Sequence, residues 1–262
     1  MIVRGNVFSK TLEMDTGITI VTPNEFKPEG GYKVAYLLHG ICGNNGTWSD
    51  YTMLPFYASH GKTIYILPEV GRSFYADMKY GFKYFTYVTE ELPAICKSVF
   101  NISAKREHTA VIGGSMGGYG ALKCALAKPE QYGLCGAFSS ACLFIKEDID
   151  EHKKNGSEPW FVEMYGEKTI EDFLLAFGME LEWNPKDDIL ELAKGIQDHG
   201  VQPMIYTACG TEDYFHKDNL RFSEEMKQMN FNITYEEWQG KHDFPFFNEA
   251  LRRVIEKFEA EE

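Results

Sequence analysis

Thr109-Ala110-Val111-Ile112-Gly113-Gly114-Ser115-Met116-Gly117-Gly118 is the stretch that decides the fold. An apolar, β-branched run enters a glycine-rich turn. Tyr119-Gly120-Ala121-Leu122-Lys123-Cys124-Ala125-Leu126-Ala127 leaves it with the composition of a buried helix. Strand, tight turn and helix are the context in which G-x-S-x-G forms a nucleophile elbow. The serine of such a turn stands on strained backbone with its hydroxyl above the sheet. Side chains two residues before and after it would collide across the turn, which explains glycine at 113 and 117. The following helix turns its positive end and its N–H groups toward the site. The bland alternative is a βα turn that binds a phosphate or merely packs tightly. Two phosphate-binding patterns fail on spacing: G-x-x-x-x-G-K-[ST] does not occur, and Gly118-Tyr119-Gly120-Ala121-Leu122-Lys123 does not follow G-x-G-x-x-G.

Outward from the elbow, further apolar runs read as core strands. Lys33-Val34-Ala35-Tyr36-Leu37-Leu38 has the near-continuous apolar character of a strand buried on both faces. It ends in His39-Gly40-Ile41-Cys42-Gly43-Asn44-Asn45-Gly46, a loop by composition. Lys62 to Leu67, Leu134 to Ser140 and Pro203 to Cys209 read as further core strands, and Asn232 to Trp238 as a strand of alternating character. Two N-terminal strands are expected at Phe8 to Leu12 and Gly17 to Val21. Phe82 to Phe100 carries helical spacing, with Leu92, Ile95, Cys96 and Val99 as its inner face and Pro93 starting or kinking it. Helices are also expected from Asp218 to Met229 and from Phe246 to Glu259. The alternation predicts an α/β fold: a mostly parallel central sheet with helices on both faces. Residues 143–200 break the rhythm, mixing charged runs with Trp160, Phe161, Tyr165, Phe173, Phe177 and Trp183. They read as a small inserted helical cap on a single domain spanning 1–262.

The 262 residues suffice for one large α/β domain. A net charge of -13 argues against nucleic acid as a partner and against docking on an acidic membrane. The first residues lack a basic segment followed by an apolar one, and no apolar run approaches a membrane span. Six cysteines (Cys42, Cys96, Cys124, Cys135, Cys142, Cys209) show no C-x-x-C spacing and mostly sit in apolar stretches. They read as reduced core thiols of a cytoplasmic protein.

A serine hydroxyl needs a base within hydrogen-bond reach, and the base needs an orienting acceptor. On an elbow fold the three follow the order serine, acid, histidine. Gly210-Thr211-Glu212-Asp213-Tyr214 follows one core strand and Gln239-Gly240-Lys241-His242-Asp243-Phe244 the next. Such loops gather at the carboxyl edge of an open sheet. Ser115 is therefore the candidate nucleophile, Asp213 the orienting acid and His242 the base. Glu212 and Asp218 are rival acids, and a turn aspartate is the plain alternative for Asp213. His39 follows a core strand but precedes the serine, the wrong order for a base; it is expected to shape its loop through a side-chain hydrogen bond. The oxyanion donors are expected to be the backbone N–H groups of Met116 and Ile41. Trp48, Tyr75 and the cap aromatics, Trp160 among them, are candidates for the pocket wall, with ordinary core packing as the alternative.

With these residues laid out, the chain resembles the esterase D / S-formylglutathione hydrolase-like family of α/β-hydrolases, and within it the bacterial tributyrin-esterase branch. The resemblance runs over Phe8 to Leu12, Tyr36-Leu37-Leu38-His39-Gly40 with Trp48, Gly71-Arg72-Ser73-Phe74-Tyr75, the elbow, Cys209 to Asp213, and Lys241-His242-Asp243-Phe244. It implies the α/β-hydrolase fold and a serine carboxylesterase that acts on short acyl esters without metal or organic cofactor. It carries over Ser115, Asp213 and His242 as a triad and Ile41 and Met116 as oxyanion donors. A small-molecule ester is the implied partner, and a homodimer or higher homo-oligomer the implied assembly. Acetylated and feruloylated carbohydrate esters are the substrate candidates. An acyltransferase or S-formylglutathione-type thioesterase on the same triad is the alternative within enzymes. A non-catalytic binding module on a hydrolase scaffold is the alternative from another class. The elbow here has Gly114 before the serine, where many relatives have histidine.

Overall fold

The computed structural model describes residues 1–24, 28–155, 159–197 and 200–260, and the side chains of 152 and 159–165 lie outside the description. Its strands are β1 (Ile2–Ser9), β2 (Met14–Val21), β3 (Lys33–Leu38), β4 (Thr63–Pro68), β5 (Thr109–Gly114), β6 (Leu134–Phe138), β7 (Met204–Gly210) and β8 (Ile233–Trp238). Its helices are α1 (Thr47–Tyr51), α2 (Leu54–Ser59), α3 (Tyr84–Thr86), α4 (Leu92–Val99), α5 (Met116–Ala127), α6 (Ile145–Asn155), α7 (Pro159–Phe177), α8 (Ile189–Ile196), α9 (His216–Gln228) and α10 (Phe244–Ala260).

All eight strands form one sheet in the order β1-β2-β4-β3-β5-β6-β7-β8. The first two pairings, β1 with β2 and β2 with β4, are antiparallel; the remaining five are parallel. This is the α/β-hydrolase architecture that the alternation of strands and helices predicts.

Every residue of β3, β4, β5 and β6 is buried, because helices cover both faces of the central sheet. Side chains alternate between two cores. Val34, Tyr36, Leu38 and Val111 enter one with Tyr119, Leu122 and Leu126 of α5. Ala35, Leu37, Ala110 and Ile112 enter the other with Phe247, Leu251, Val254 and Phe258 of α10. β5 lies at the middle of the sheet, so the turn that follows it is held on both sides by neighbouring strands.

Two expectations need correction. The first strand begins at Ile2 and ends at Ser9 rather than running to Leu12. Glu91 explains the stop: its carboxylate accepts from the N–H groups of Lys10 and Thr11, and Ser9 Oγ accepts from Leu12 N–H, drawing 10–12 into a turn. The helical stretch after Phe82 is not one regular helix. A π-turn over Tyr87–Glu91 joins α3 to α4, and it changes which residues face inward. Tyr87, Val88, Leu92 and Cys96 are buried, whereas Val99 is 67% exposed. Pro93, in the first turn of α4, has no N–H for the carbonyl four residues back, which suits it to follow the wider turn.

Among the cysteines, Cys96, Cys124, Cys135 and Cys209 are buried, Cys142 is half-buried and Cys42 is exposed on its loop; all six are free thiols. Burial pushes the Cys96 and Cys124 thiols up to about 12. Between β6 and β7 lie α6, α7 and α8, with the backbone leaving helical geometry at Gly166 (φ 72°, ψ 160°). Among the described residues, no helix is long and apolar enough to cross a membrane.

Candidate active site

The elbow is built by close approach of backbone. Ser115 sits between β5 and α5 at φ 58°, ψ -124°, a conformation a non-glycine residue holds only where its surroundings impose it. A Cβ on Gly113 would stand 2.1 Å from the Gly117 carbonyl oxygen, and one on Gly117 would stand 2.1 Å from that of Leu38. Neither position has room for a side chain, which is the collision the motif anticipates. Ser115 N–H donates to Phe138 O at 2.9 Å, tying the turn to the end of β6.

Asp213 and His242 come together from the ends of β7 and β8. His242 Nδ1 lies 2.9 Å from Asp213 Oδ2. The other carboxylate oxygen accepts from Phe215 N–H at 2.8 Å, and the Asp213 side chain is fully buried. A carboxylate so held fixes the imidazole tautomer with its proton on Nδ1 and leaves Nε2 to accept one. Glu212 instead bonds Gln239, and Asp218 lies in the first turn of α9. His242 is walled by aromatic rings: Tyr214 stacks on it at 4.7 Å, and Phe247 meets it edge-on at 5.2 Å. Phe247 also reaches the elbow, since a Cβ on Gly114 would lie 3.6 Å from its ring. Burial, then the Asp213 charge, pushes the Tyr214 hydroxyl up to about 12, so this ring stays neutral over His242. Tyr214 was not a sequence candidate; the signal was an aromatic residue directly after the acid.

The loop after β3 faces the elbow. A Cβ on Gly40 would lie 3.5 Å from Ser115 Cβ. His39 is buried, and its Nδ1 donates to Gly40 O at 2.8 Å while Nε2 accepts from Val70 N–H at 3.3 Å. The peptide whose carbonyl is so fixed is the one that carries the Ile41 N–H. Met116 opens α5, so its N–H has no partner four residues back along the helix. A strained serine and a buried acid–histidine pair at one sheet edge are parts that acyl transfer requires.

The family described as "Putative esterase" matches residues 9–258 of this sequence. The chain belongs to this esterase family. It is a carboxylic-ester hydrolase of the serine-hydrolase type. An acetyl esterase of Caldicellulosiruptor saccharolyticus is 30% identical to it, over 96% of this chain and 95% of that protein. Among solved structures, the substrate-bound fluorophosphonate-binding serine hydrolase F of Staphylococcus aureus superposes with a TM-score of 0.81 at 26% identity, covering 98% of both chains. The apo S-formylglutathione hydrolase of the same organism superposes with a TM-score of 0.82 at 25% identity, again over 98% of both.

In this esterase two of the candidate wall residues prove to be scaffold. Trp48 is buried in the α10-side core; its indole N–H donates to Leu38 O at 2.9 Å, and its ring packs on Phe138 and Phe247. Tyr75 is fully buried, with its hydroxyl donating to His39 O at 2.8 Å. Both expectations failed because aromatic residues beside a catalytic loop serve equally well to prop it from beneath. The Trp160 side chain lies outside the described residues. Of the other aromatics between β6 and β7, Phe173 and Phe177 pack on Phe74, and Trp183 donates its N–H to Asp188 at 3.0 Å. Among the described residues, no group of three or more His, Cys, Asp or Glu is arranged to hold a metal ion.

Proposed function

We propose that this esterase hydrolyses short-chain acyl esters through an acyl-serine intermediate on Ser115, with His242 as the base, Asp213 as its orienting acid, and the Ile41 and Met116 N–H groups as the oxyanion hole. The observation that carries the reading is the 2.9 Å contact of His242 Nδ1 with the buried Asp213 carboxylate, at the same sheet edge as the strained Ser115. In the first step His242 Nε2 takes the Ser115 proton as Oγ attacks the ester carbonyl. Negative charge moves onto the carbonyl oxygen, facing the two N–H groups. The C–O bond to the alcohol breaks as His242 returns the proton to the leaving oxygen. Water then repeats the route, with His242 as base, to release the acid and restore the hydroxyl. Asp213 orients the imidazole and stabilises the imidazolium formed in each half.

Acetyl esters are the first class to test, since the relative aligned along nearly the whole chain is an acetyl esterase. The proposal extends to tributyrin and feruloyl esters as substrates and to the cytoplasm as the site of action, where six free thiols persist. It also takes 1–262 as one domain, with about 143–200 forming a cap over the substrate.

The test is hydrolysis of p-nitrophenyl esters from acetate to octanoate, with ferulate and tributyrin added, by wild type and Ser115→Ala. Wild type is expected to favour short chains. The variant is expected to fall by roughly a million-fold in kcat, the scale of losing such a nucleophile, and to lose labelling by a fluorophosphonate probe. An inactive wild type or an equally active variant overturns the reading.

A further inference from the structure

We propose that Arg72 is a positioning residue that couples helix α7 to the oxyanion loop, so that the placement of α7 sets the alignment of the Ile41 N–H. The proposal rests on the serine-esterase reading and deepens it by adding a residue with no contact to the reacting atoms.

The Arg72 guanidinium divides its donors between two parts of the molecule. On one side Nε donates to Asp172 Oδ2, and Nη2 donates to Thr169 Oγ1 at 2.9 Å; both partners lie on α7. On the other side Nη1 points at Ile41 O at 3.5 Å. Asp172 is buried and Thr169 is buried beside it, so the pairing on α7 is shielded from water on its inner side. A planar fork with fixed donor directions suits this bridging, since turning it to improve one contact displaces the others.

Ile41 is thereby pinned through both of its flanking peptides. His39 Nδ1–H holds the Gly40 carbonyl, on the peptide that carries the Ile41 N–H. Arg72 reaches the Ile41 carbonyl, on the next peptide. Rotation about the bonds between the two would turn the Ile41 N–H, and contacts at both carbonyls oppose it. His39 is itself supported from the loop after β4, through Val70 N–H and the Tyr75 hydroxyl. That loop also binds α7 by apolar packing, with Phe74 against Phe173 at 5.4 Å and Phe177 at 5.6 Å. Two backbone bonds, Lys79 N–H to Ala176 O at 2.9 Å and Tyr80 N–H to Leu175 O at 3.0 Å, join the same two parts, and Arg72 adds the side-chain link that reaches on to Ile41. Its contact with Ile41 O is long, and hydrogen-bond strength falls steeply in that range. A small shift of α7 therefore changes this contact by a large share of its strength.

The expected consequence differs from that of a pocket-wall residue. Every acyl chain forms the same oxyanion, so misalignment lowers turnover for all esters alike, whereas a change of wall alters the chain-length profile. The experiment measures kcat and KM for p-nitrophenyl acetate, butyrate and octanoate, the inhibition constant of an alkyl trifluoromethyl ketone, and the thermal midpoint. The variants are Arg72→Ala, Arg72→Lys, Asp172→Asn and the Arg72→Ala/Asp172→Asn pair.

Arg72→Ala is expected to lower kcat by about tenfold, less than the 100- to 1000-fold of deleting a donor, equally for the three esters and with KM within about threefold. The ketone, whose serine adduct carries the same oxyanion, is expected to weaken by the same factor. Asp172→Asn is expected to move both readouts in the same direction by a smaller factor, and the pair to be no worse than Arg72→Ala alone, because both act through one link. Arg72→Lys, which cannot fork, is expected not to restore the wild-type value. A changed midpoint with unchanged kcat and ketone affinity overturns the proposal, as does a loss confined to one chain length. Should Arg72→Ala not fold, Asp172→Asn decides by the same two readouts. If wild type is inactive or Ser115→Ala is fully active, it is the esterase reading that has failed.

Discussion

The elbow and the oxyanion loop meet where Gly40 touches Ser115, yet they are made rigid by different means. The elbow is held by backbone against backbone. Gly113, Gly117 and Leu38 approach so closely that a single Cβ has no place. The loop after β3 is held mostly by side chains, beside one backbone bond from Gly43 N–H to Gly40 O at 2.9 Å: His39 beneath its own loop, the Tyr75 hydroxyl on His39 O, and Arg72 at Ile41 O. A turn locked by main-chain contact cannot be loosened in steps, because its neighbours have no rotamers to give. A loop propped by side chains can be loosened one prop at a time. The strained Ser115 thus sits on the unyielding side with the Met116 N–H, and Ile41, the other proposed donor, sits on the adjustable one.

Three substitutions test that contrast. Gly117→Ala is the most severe, since its methyl would overlap the Leu38 carbonyl of a central strand. It is expected to cost about 3 kcal/mol or more, seen as a thermal midpoint lower by at least roughly 6 °C or as loss of soluble protein; a normal midpoint would mean that the elbow is far softer than its packing. Tyr75→Phe keeps the ring and removes the bond to His39 O. It is expected to cost about 1–2 kcal/mol in urea unfolding and to lower kcat roughly fivefold, about 1 kcal/mol of transition-state stabilisation. Stability loss with kcat unchanged would show that the loop needs no such prop. Trp48→Phe is the mildest, removing one donor to Leu38 O on the elbow side. About 1 kcal/mol of stability is expected to go, with the p-nitrophenyl chain-length profile unaltered; an altered profile would return Trp48 to the pocket wall.

The same contrast explains what could be read from sequence. The elbow announces itself because close backbone approach demands glycine, and glycine at fixed spacing is visible in one dimension. The parallel strands were legible for a related reason: burial on both faces leaves continuous apolar runs such as Val34 to Leu38. Asp213 and His242 were found through chain order after such runs, and the structure brings their side chains into contact. The side-chain props were not legible. Trp48 and Tyr75 were noticed as aromatics near the site, but whether a ring faces substrate or core depends on which way its Cα–Cβ bond points. Nothing in Gly71-Arg72-Ser73-Phe74-Tyr75 reveals what Arg72 does, since its partners Thr169 and Asp172 lie about a hundred residues away. The π-turn at Tyr87–Glu91 escaped because one residue's change of phase, not a change of composition, exposes Val99.

The order of the strands has a consequence for the protein during its synthesis. The elbow needs only β3, β5 and β6, which end at Phe138, whereas His242, the proposed base, arrives just ahead of α10. That last helix also supplies Phe247, Leu251, Val254 and Phe258, which close the second core over β3 and β5. On the proposed triad, a chain still emerging from the ribosome therefore carries Ser115 long before His242 can activate it. The segment that delivers the histidine leads straight into the helix that seals the sheet, so His242 and the last of these core residues, Phe258, arrive within one helix of each other.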